Sequence, residues 1–383
     1  MENNRMKRKI LYISGTRADY GRAYYILKSI QKHPYFDLYI IATCMHLSPE
    51  FGYTVQEIEK HFQIAEKVDM LLSNDNRGAM AKSFGIGLIG ITQSLEKIMP
   101  DLVIVLGDRG EMLAGAIASK HLGIPVAHIG GGHISGSIDD RIRDAITIFS
   151  DLHFVATKKG AKRVISLGAN PSNVYIVGAP DLEAITKSDF LKPEEVVQQF
   201  KVDLTKPLIM LSYHPSLDEH GENEVEMKIV CESVLEFKNA QIIATYPNAD
   251  AGGRKMIEIL KSYTKYPHIR IYKHIPYQAY LGLMNIASVI VGNSSAGIIE
   301  AASFGLPAVN IGDRQKGRER AKNTIDVKCD KKEIVAAITM ALSNKEFKKE
   351  AKVCKNPYGD GQTSEHVIEI LERYFSIRKG EKS

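Results

Sequence analysis

The chain predicts an α/β protein of two successive Rossmann-like domains facing a cleft, and three observations carry that prediction. Short apolar runs such as Leu102–Leu106 recur along the whole length, separated by helix-length segments of mixed polarity. The loops after these runs concentrate glycine beside charged or hydroxyl residues, where open α/β sheets place their ligands. The pattern also runs to about residue 180 and then restarts, and 383 residues suffice for two domains with separate cores.

In chain order, Lys9–Ser14 reads as a buried strand, Tyr20–Gln31 as a helix and Leu38–Thr43 as the next strand. Strand Leu102–Leu106, helix Glu111–His121 and strand Val126–Ile129 form a βαβ unit with short loops. Strand Leu152–Ala156, helix Lys159–Leu167 and strand Val174–Val177 complete a first domain, residues 1–180, and Gly178-Ala179-Pro180-Asp181 is the crossover. The second domain, residues 181–365, has strands at Leu208–Tyr213, Gln241–Tyr246, Ile269–Tyr272, Val289–Val291 and Ala308–Ile311. A last helix, His366–Phe375 within residues 366–383, carries apolar residues at helical spacing and is expected to pack back on the first domain.

Composition narrows the function classes. Hydrophobic residues make up 44% and charged residues 25%, as in a soluble globular protein. The net charge of +5 is mild, and no dense basic stretch with interleaved aromatics is present, which fits an anionic small molecule and argues against nucleic acid. Four scattered cysteines without a CxxC pair argue against a zinc site or a disulfide framework and for a reducing, cytoplasmic setting. The polar N-terminal residues and the lack of a long apolar run argue against a secretory signal and a membrane helix.

The candidate functional residues fall just after strands. Val291-Gly292-Asn293-Ser294-Ser295 leads into a helix expected from about Ala296 to Phe304. Such a corner aims backbone N–H groups and two hydroxyls at one point, which suits a phosphate, and Glu300 one turn on can accept from ribose hydroxyls. A serine N-cap in an ordinary strand–helix connection accounts for the same run. Gly15-Thr16-Arg17 supplies a tight turn and a guanidinium fork; no GxGxxG is present, so dinucleotide binding of the dehydrogenase type is not supported. Gly107-Asp108-Arg109 sets a carboxylate beside a guanidinium. The run from His128 through Gly130-Gly131-Gly132-His133 to Asp139-Asp140-Arg141-Ile142-Arg143-Asp144 combines a glycine loop with paired carboxylates at a helix start, which suits a catalytic acid or base. Tyr213-His214-Pro215, Tyr246-Pro247-Asn248 and the basic loop Gly312–Arg318 lie at further strand ends. His33, His61, His121 and His268 lack such context and read as surface residues.

Together the runs GTRADYG, GDR, GG-x-ISGSIDDRIR, HP, YPNADAG, GNSSAGIIEAASFG and GDRQKGRER resemble the hydrolysing UDP-N-acetylglucosamine 2-epimerases of sialic and legionaminic acid synthesis, over roughly residues 7–375. The resemblance implies the GT-B arrangement of two Rossmann-like domains, no cofactor and no metal, and a homo-oligomer. It places Arg17, Arg109, His214, Asn248, Ser294, Ser295, Glu300 and Arg314 on the UDP moiety. It also implies that Asp108, Asp139, Asp140 and Arg143 surround the reacting sugar, with His214 able to serve both. The implied reaction removes the C2 proton as UDP leaves C1, giving a bound glycal, and then adds water at C1 and a proton at C2 from the opposite face. The substrate is UDP-N-acetylglucosamine or its 2,4-diacetamido-2,4,6-trideoxy analogue.

The chain departs from the family in its glycine loop. Relatives commonly read HIEGGE or HIHGGE and then DDSIRH, where this chain reads HIGGGH and DDRIRD. Gly130 removes a polar side chain and opens space for a sugar modified at C4 or C6. His133 and Asp144 look like an acid and an imidazole exchanged between positions, and they are expected to pair across the site as an acid–base couple. A non-hydrolysing 2-epimerase, a GT-B glycosyltransferase and a UDP-sugar-binding protein without catalysis remain alternative readings.

Overall fold

The structure, a computed structural model, describes residues 7–49, 52–72, 77–134, 138–215, 223–247 and 252–380. Asn248 therefore lies outside the described residues. The chain divides into two compact units, one running to His133, resuming at Ile138–Glu183 and again from Gly359, the other spanning Ala184–Tyr358 with Ile134.

Among the described residues the first unit holds seven strands: β1 (Arg8–Ser14), β2 (Phe36–Thr43), β3 (Glu66–Val68), β4 (Leu102–Leu106), β5 (Val126–Ile129), β6 (Leu152–Val155) and β7 (Val174–Ile176). All neighbours pair in parallel, in the order β3-β2-β1-β4-β5-β6-β7. Central strands are apolar without alternation because both faces are covered. Alternate residues of β1 serve the two faces. Ile10 and Tyr12 join a core with helix Arg17–Lys32 and with Val367, Ile370, Leu371 and Phe375 of the last helix. Leu11 and Ile13 join a second core with helices Arg77–Ile98 and Gly110–His121. The last helix, Thr363–Gly380, thus packs into the core of the first unit.

The second unit holds β8 (Leu208–Ser212), β9 (Gln241–Thr245), β10 (Ile269–Tyr272), β11 (Val289–Gly292), β12 (Ala308–Ile311) and β13 (Thr324–Val327). They are parallel in the order β10-β9-β8-β11-β12-β13. Ile209, Leu211 and Tyr213 pack there with Val230, Val234 and Ile338.

Three expectations change. The edge strands β3 and β13 escape the sequence reading because they are short and polar. The helix expected from Ala296 to Phe304 is instead two short 3₁₀ turns, Ser295–Gly297 and Ala301–Phe304. Its composition favours a helix, yet the Ser294 hydroxyl accepts from Ala296 N–H, which tightens the first turn, and Gly305 ends the second at φ 61°. His33 is not a free surface group: it stacks on Phe36 and pairs with Glu372 at 2.8 Å. Among the described residues, no helix is long and apolar enough to cross a membrane.

Candidate functional site

In each sheet the order reverses between two central strands, β1 and β4 in the first unit and β8 and β11 in the second. The carboxyl ends flanking such a reversal form the crevice of an open α/β sheet. Most of the polar residues singled out above stand at these ends.

In the first unit, β1 runs into Gly15 and then helix Arg17–Lys32, whose start is held by a reciprocal cap between Thr16 and Asp19. The Asp19 carboxylate accepts from Ser14 Oγ at 2.7 Å, Gly15 N–H at 3.0 Å and Thr16 N–H at 2.9 Å. Burial, and then the nearby Glu111, still raise its pKa to about 6. His46 bridges Ser14 Oγ (2.9 Å) and Thr54 Oγ1 (2.8 Å) and is held neutral by burial, its pKa lowered to about 4. Arg17 points outward to Glu57 at 3.4 Å.

At the end of β4, Gly107 takes φ 86° and hands the chain to Asp108 and Arg109. Arg109 Nε donates to Glu111 Oε1 at 2.8 Å. Glu111 is 3% exposed and lies where a Cβ on Gly15 would be, so a side chain at position 15 would have to displace the Glu111 carboxylate. His128 on β5 bonds the Gly107 carbonyl through Nε2 (2.8 Å) and Thr147 through Nδ1 (3.1 Å). The carbonyl can only accept, so Nε2 carries the proton and the Thr147 hydroxyl donates to Nδ1.

The densest cluster centres on Arg143, 3% exposed, on helix Ile138–Ile148. Its Nη1 donates to Asp140 at 2.5 Å and to the His133 carbonyl at 2.8 Å, and its Nη2 pairs with Asp108. Burial opposes the guanidinium charge, but Asp108 and Asp140 outweigh it and its pKa is raised. Two carboxylates are thereby gathered around one buried cation. Asp139 shares the first turn of this helix.

Asp144 overturns an expectation. Both its carboxylate oxygens are engaged by Arg163, at 2.5 and 3.3 Å, so its partner is that guanidinium and not His133. Asp144 lies 100° round the helix from Arg143 and is aimed elsewhere. Gly130 also has a backbone explanation: at φ 84° it sits where a side chain is strained, although a Cβ there would meet nothing closer than 3.9 Å.

In the second unit, β8 ends at Ser212 and continues through Tyr213 to His214, while β11 ends at Gly292 and turns through Asn293 and Ser294. The two segments touch so closely that a Cβ on Gly292 would stand 2.0 Å from the Ser212 carbonyl oxygen. Asn293 Oδ1 accepts from His214 N–H (2.7 Å), its Nδ2 donates to the His214 carbonyl (2.8 Å), and its own carbonyl accepts from Arg314 (3.1 Å) and Gln315 (2.9 Å). The His214 ring lies 3.3 Å from Ser212 Oγ; burial and then Arg314 lower its pKa to about 3. Ser294 and Gly297 line a small recess with Ser212 and Asn310. Ser295 opens the first 3₁₀ turn, and Glu300, 7% exposed, leads into the second. Tyr280 stands beside Ser212 and Ser294 with its hydroxyl buried.

The first unit thus gathers Asp108, Asp140, Arg143 and the His133 backbone, and the second gathers His214, Ser294 and Arg314 around Asn293. Sequence reasoning missed Asp19, His46, Glu111, Asn293 and Gln315 as parts of these clusters. Only Asp19 left a signal, the Thr-x-x-Asp spacing of a helix cap.

The class defined by this architecture is a two-unit, all-parallel α/β protein with polar residues at each sheet reversal. The chain belongs to the UDP-N-acetylglucosamine 2-epimerase family, whose model matches residues 28–372. It is 40% identical over 368 residues to the UDP-N,N'-diacetylbacillosamine 2-epimerase (hydrolyzing) of Legionella pneumophila, covering 96% of both chains. It is 39% identical to the GDP/UDP-N,N'-diacetylbacillosamine 2-epimerase (hydrolyzing) of Campylobacter jejuni, over 84% of each. Its fold matches the crystal structure of UDP-GlcNAc 2-epimerase from Neisseria meningitidis bound to UDP-GlcNAc with a TM-score of 0.81 at 20% identity, covering 95% of this chain and all of that one.

Proposed function

We propose that this protein is a hydrolysing 2-epimerase that converts UDP-2,4-diacetamido-2,4,6-trideoxyglucose into UDP and the free manno-configured sugar. The observation that carries the reading is the buried Arg143 that gathers Asp108 and Asp140 at one sheet end, because removing the C2 proton needs a positioned acid–base group. The 40% and 39% identical relatives, both named for the diacetamido sugar, support that substrate. UDP-N-acetylglucosamine is the second reading, favoured by the family's own description.

In this reading the Asp108–Asp140 pair takes the C2 proton, and the C2–H electron pair forms the C1=C2 bond of a glycal as the C1–O bond breaks toward UDP. Arg17, Arg109, His214, Asn248, Ser294, Ser295, Glu300 and Arg314 hold UDP, and their donors stabilise charge on the leaving diphosphate. Neutral His214 serves as a donor rather than a fixed charge. Water then adds at C1 and a proton returns to C2 from the other face, with Asp139 and His133 beside the sugar. No cofactor or metal takes part. The four free cysteines fit a reducing cytoplasm, and the family resemblance supports a homo-oligomer working toward sialic or legionaminic acid.

Incubation with each UDP-sugar in deuterated water, followed by NMR, tests this. Release of UDP together with a manno-configured free sugar deuterated at C2 is expected, faster for the diacetamido substrate. An epimer that keeps UDP attached would instead indicate a non-hydrolysing enzyme. Release that depends on an added acceptor would indicate a glycosyltransferase, and intact, protiated substrate with saturable binding would indicate a binding protein.

A further inference from the structure

We propose that Asn293 is a positioning residue for the nucleotide half of the site, setting His214 through its side chain and Arg314 through its carbonyl. The inference rests on the UDP-sugar reading above. Asn293 is 1% exposed, and its carboxamide makes two complementary bonds to one residue, accepting from His214 N–H and donating to His214 C=O. Only one orientation of the amide satisfies both, so the pair acts like a rung of sheet beyond the end of β8, where strand pairing has stopped. The backbone on either side is equally fixed: Asn293 N–H donates to the Ser212 carbonyl at 3.2 Å, and Gly292 permits the close approach that brings the two segments together.

The other side of the same residue sets the cation. The Asn293 carbonyl receives both Arg314 Nη1 and the amide of Gln315, itself 2% exposed, which ties the basic loop after β12 to the corner after β11. Three loops that are distant in sequence therefore converge on one side chain and one carbonyl. An imidazole and a guanidinium are thereby tied to one residue, a pairing that suits a diphosphate. Ser294 follows directly, so its hydroxyl inherits the same anchor. Packing alone would be served by any apolar residue of this size; the paired bonds to His214 are what a positioning role needs and a filler does not.

Calorimetric titration of UDP against the wild type, Asn293→Ala, His214→Ala and the double variant tests the proposal. Asn293→Ala is expected to weaken UDP on the order of tenfold or more, yet to add less than about threefold on the His214→Ala background, because residues acting through one another are non-additive. Wild-type affinity in Asn293→Ala, or its full effect on top of His214→Ala, overturns the proposal. Should the alanine variant not fold, Asn293→Asp keeps the shape and the acceptor for His214 N–H but sets a carboxylate against the His214 carbonyl; a similar loss is expected, and an unchanged affinity overturns the proposal. A ligand-free readout separates this from the functional reading. The His214 ring should stay neutral at pH 5 in the wild type and titrate closer to the ordinary 6.5 in either variant. Failure of the wild type to bind UDP overturns the nucleotide-sugar reading, whereas an unchanged His214 titration in the variants overturns the clamp.

Discussion

The carboxyl ends of the two sheets share a topology and differ in chemistry. Around β4 and β5 the first unit is ionic: Arg143 with Asp108 and Asp140, and Arg109 with Glu111. Around β8 and β11 the second unit is built mainly from neutral groups, with a carboxamide, hydroxyls, backbone amides and an uncharged imidazole beside the cation Arg314. Ion pairs set carboxylates and a guanidinium in fixed positions, and neutral donors leave room for a ligand's own charge. One sheet end is therefore suited to moving protons and the other to receiving an anion.

Breaking the ionic end should have the largest effect. Arg143→Ala leaves two carboxylates facing each other without their buried cation. It is expected to lower turnover about 1000-fold and stability by about 3–5 kcal/mol, measured by UDP release and denaturant unfolding. Turnover within tenfold of wild type would show that the charge cluster is structural only. At the neutral end, Gly292→Ala forces a Cβ against the Ser212 carbonyl at a φ of 137°. A loss on the order of 3 kcal/mol and of most UDP binding is expected, and a variant that melts and binds like wild type would refute the close approach.

Titration gives an intermediate effect that involves both ends. His46, His128 and His153 have pKa values lowered to about 4, and His214 to about 3, each mainly by burial. The unfolded chain then binds more protons below pH 6.5, so stability should fall as pH falls from 6.5 toward 4. Asp19, raised to about 6, acts in the opposite sense, because the folded state takes up its proton first. Thermal melts of Asp19→Asn between pH 4 and 7 should show a steeper acid loss than wild type; a shallower one would contradict the raised carboxyl. The smallest effect is expected at Asp144, whose partner is the part-exposed Arg163. Asp144→Asn should cost at most about 1 kcal/mol and change turnover by less than about threefold, and a hundredfold loss would restore the couple with His133.

The central strands could be read from the sequence because a strand covered on both faces needs an unbroken apolar run, as in Leu102–Leu106 and Leu208–Ser212. Edge strands are under no such demand, so Glu66–Val68 and Thr324–Val327 carried no signal. The clusters were half visible. Asp108 and Arg143 stood out as charges after strands and at a helix start, yet the direction of Asp144 depended on which helix face met Arg163. Asn293 looked like an ordinary turn residue, because its importance comes from two loops that only the fold brings to it.

The last helix also bears on how the chain is made. Val367, Ile370, Leu371 and Phe375 belong to the core that Ile10 and Tyr12 begin, so the first unit is assembled from segments more than 350 residues apart in order of synthesis. The second unit is nearly continuous from Ala184 to Tyr358. During translation it can close on itself while the earlier sheet still waits for its final helix, and one apolar face of that sheet must be kept from other partners until residues 363–380 emerge.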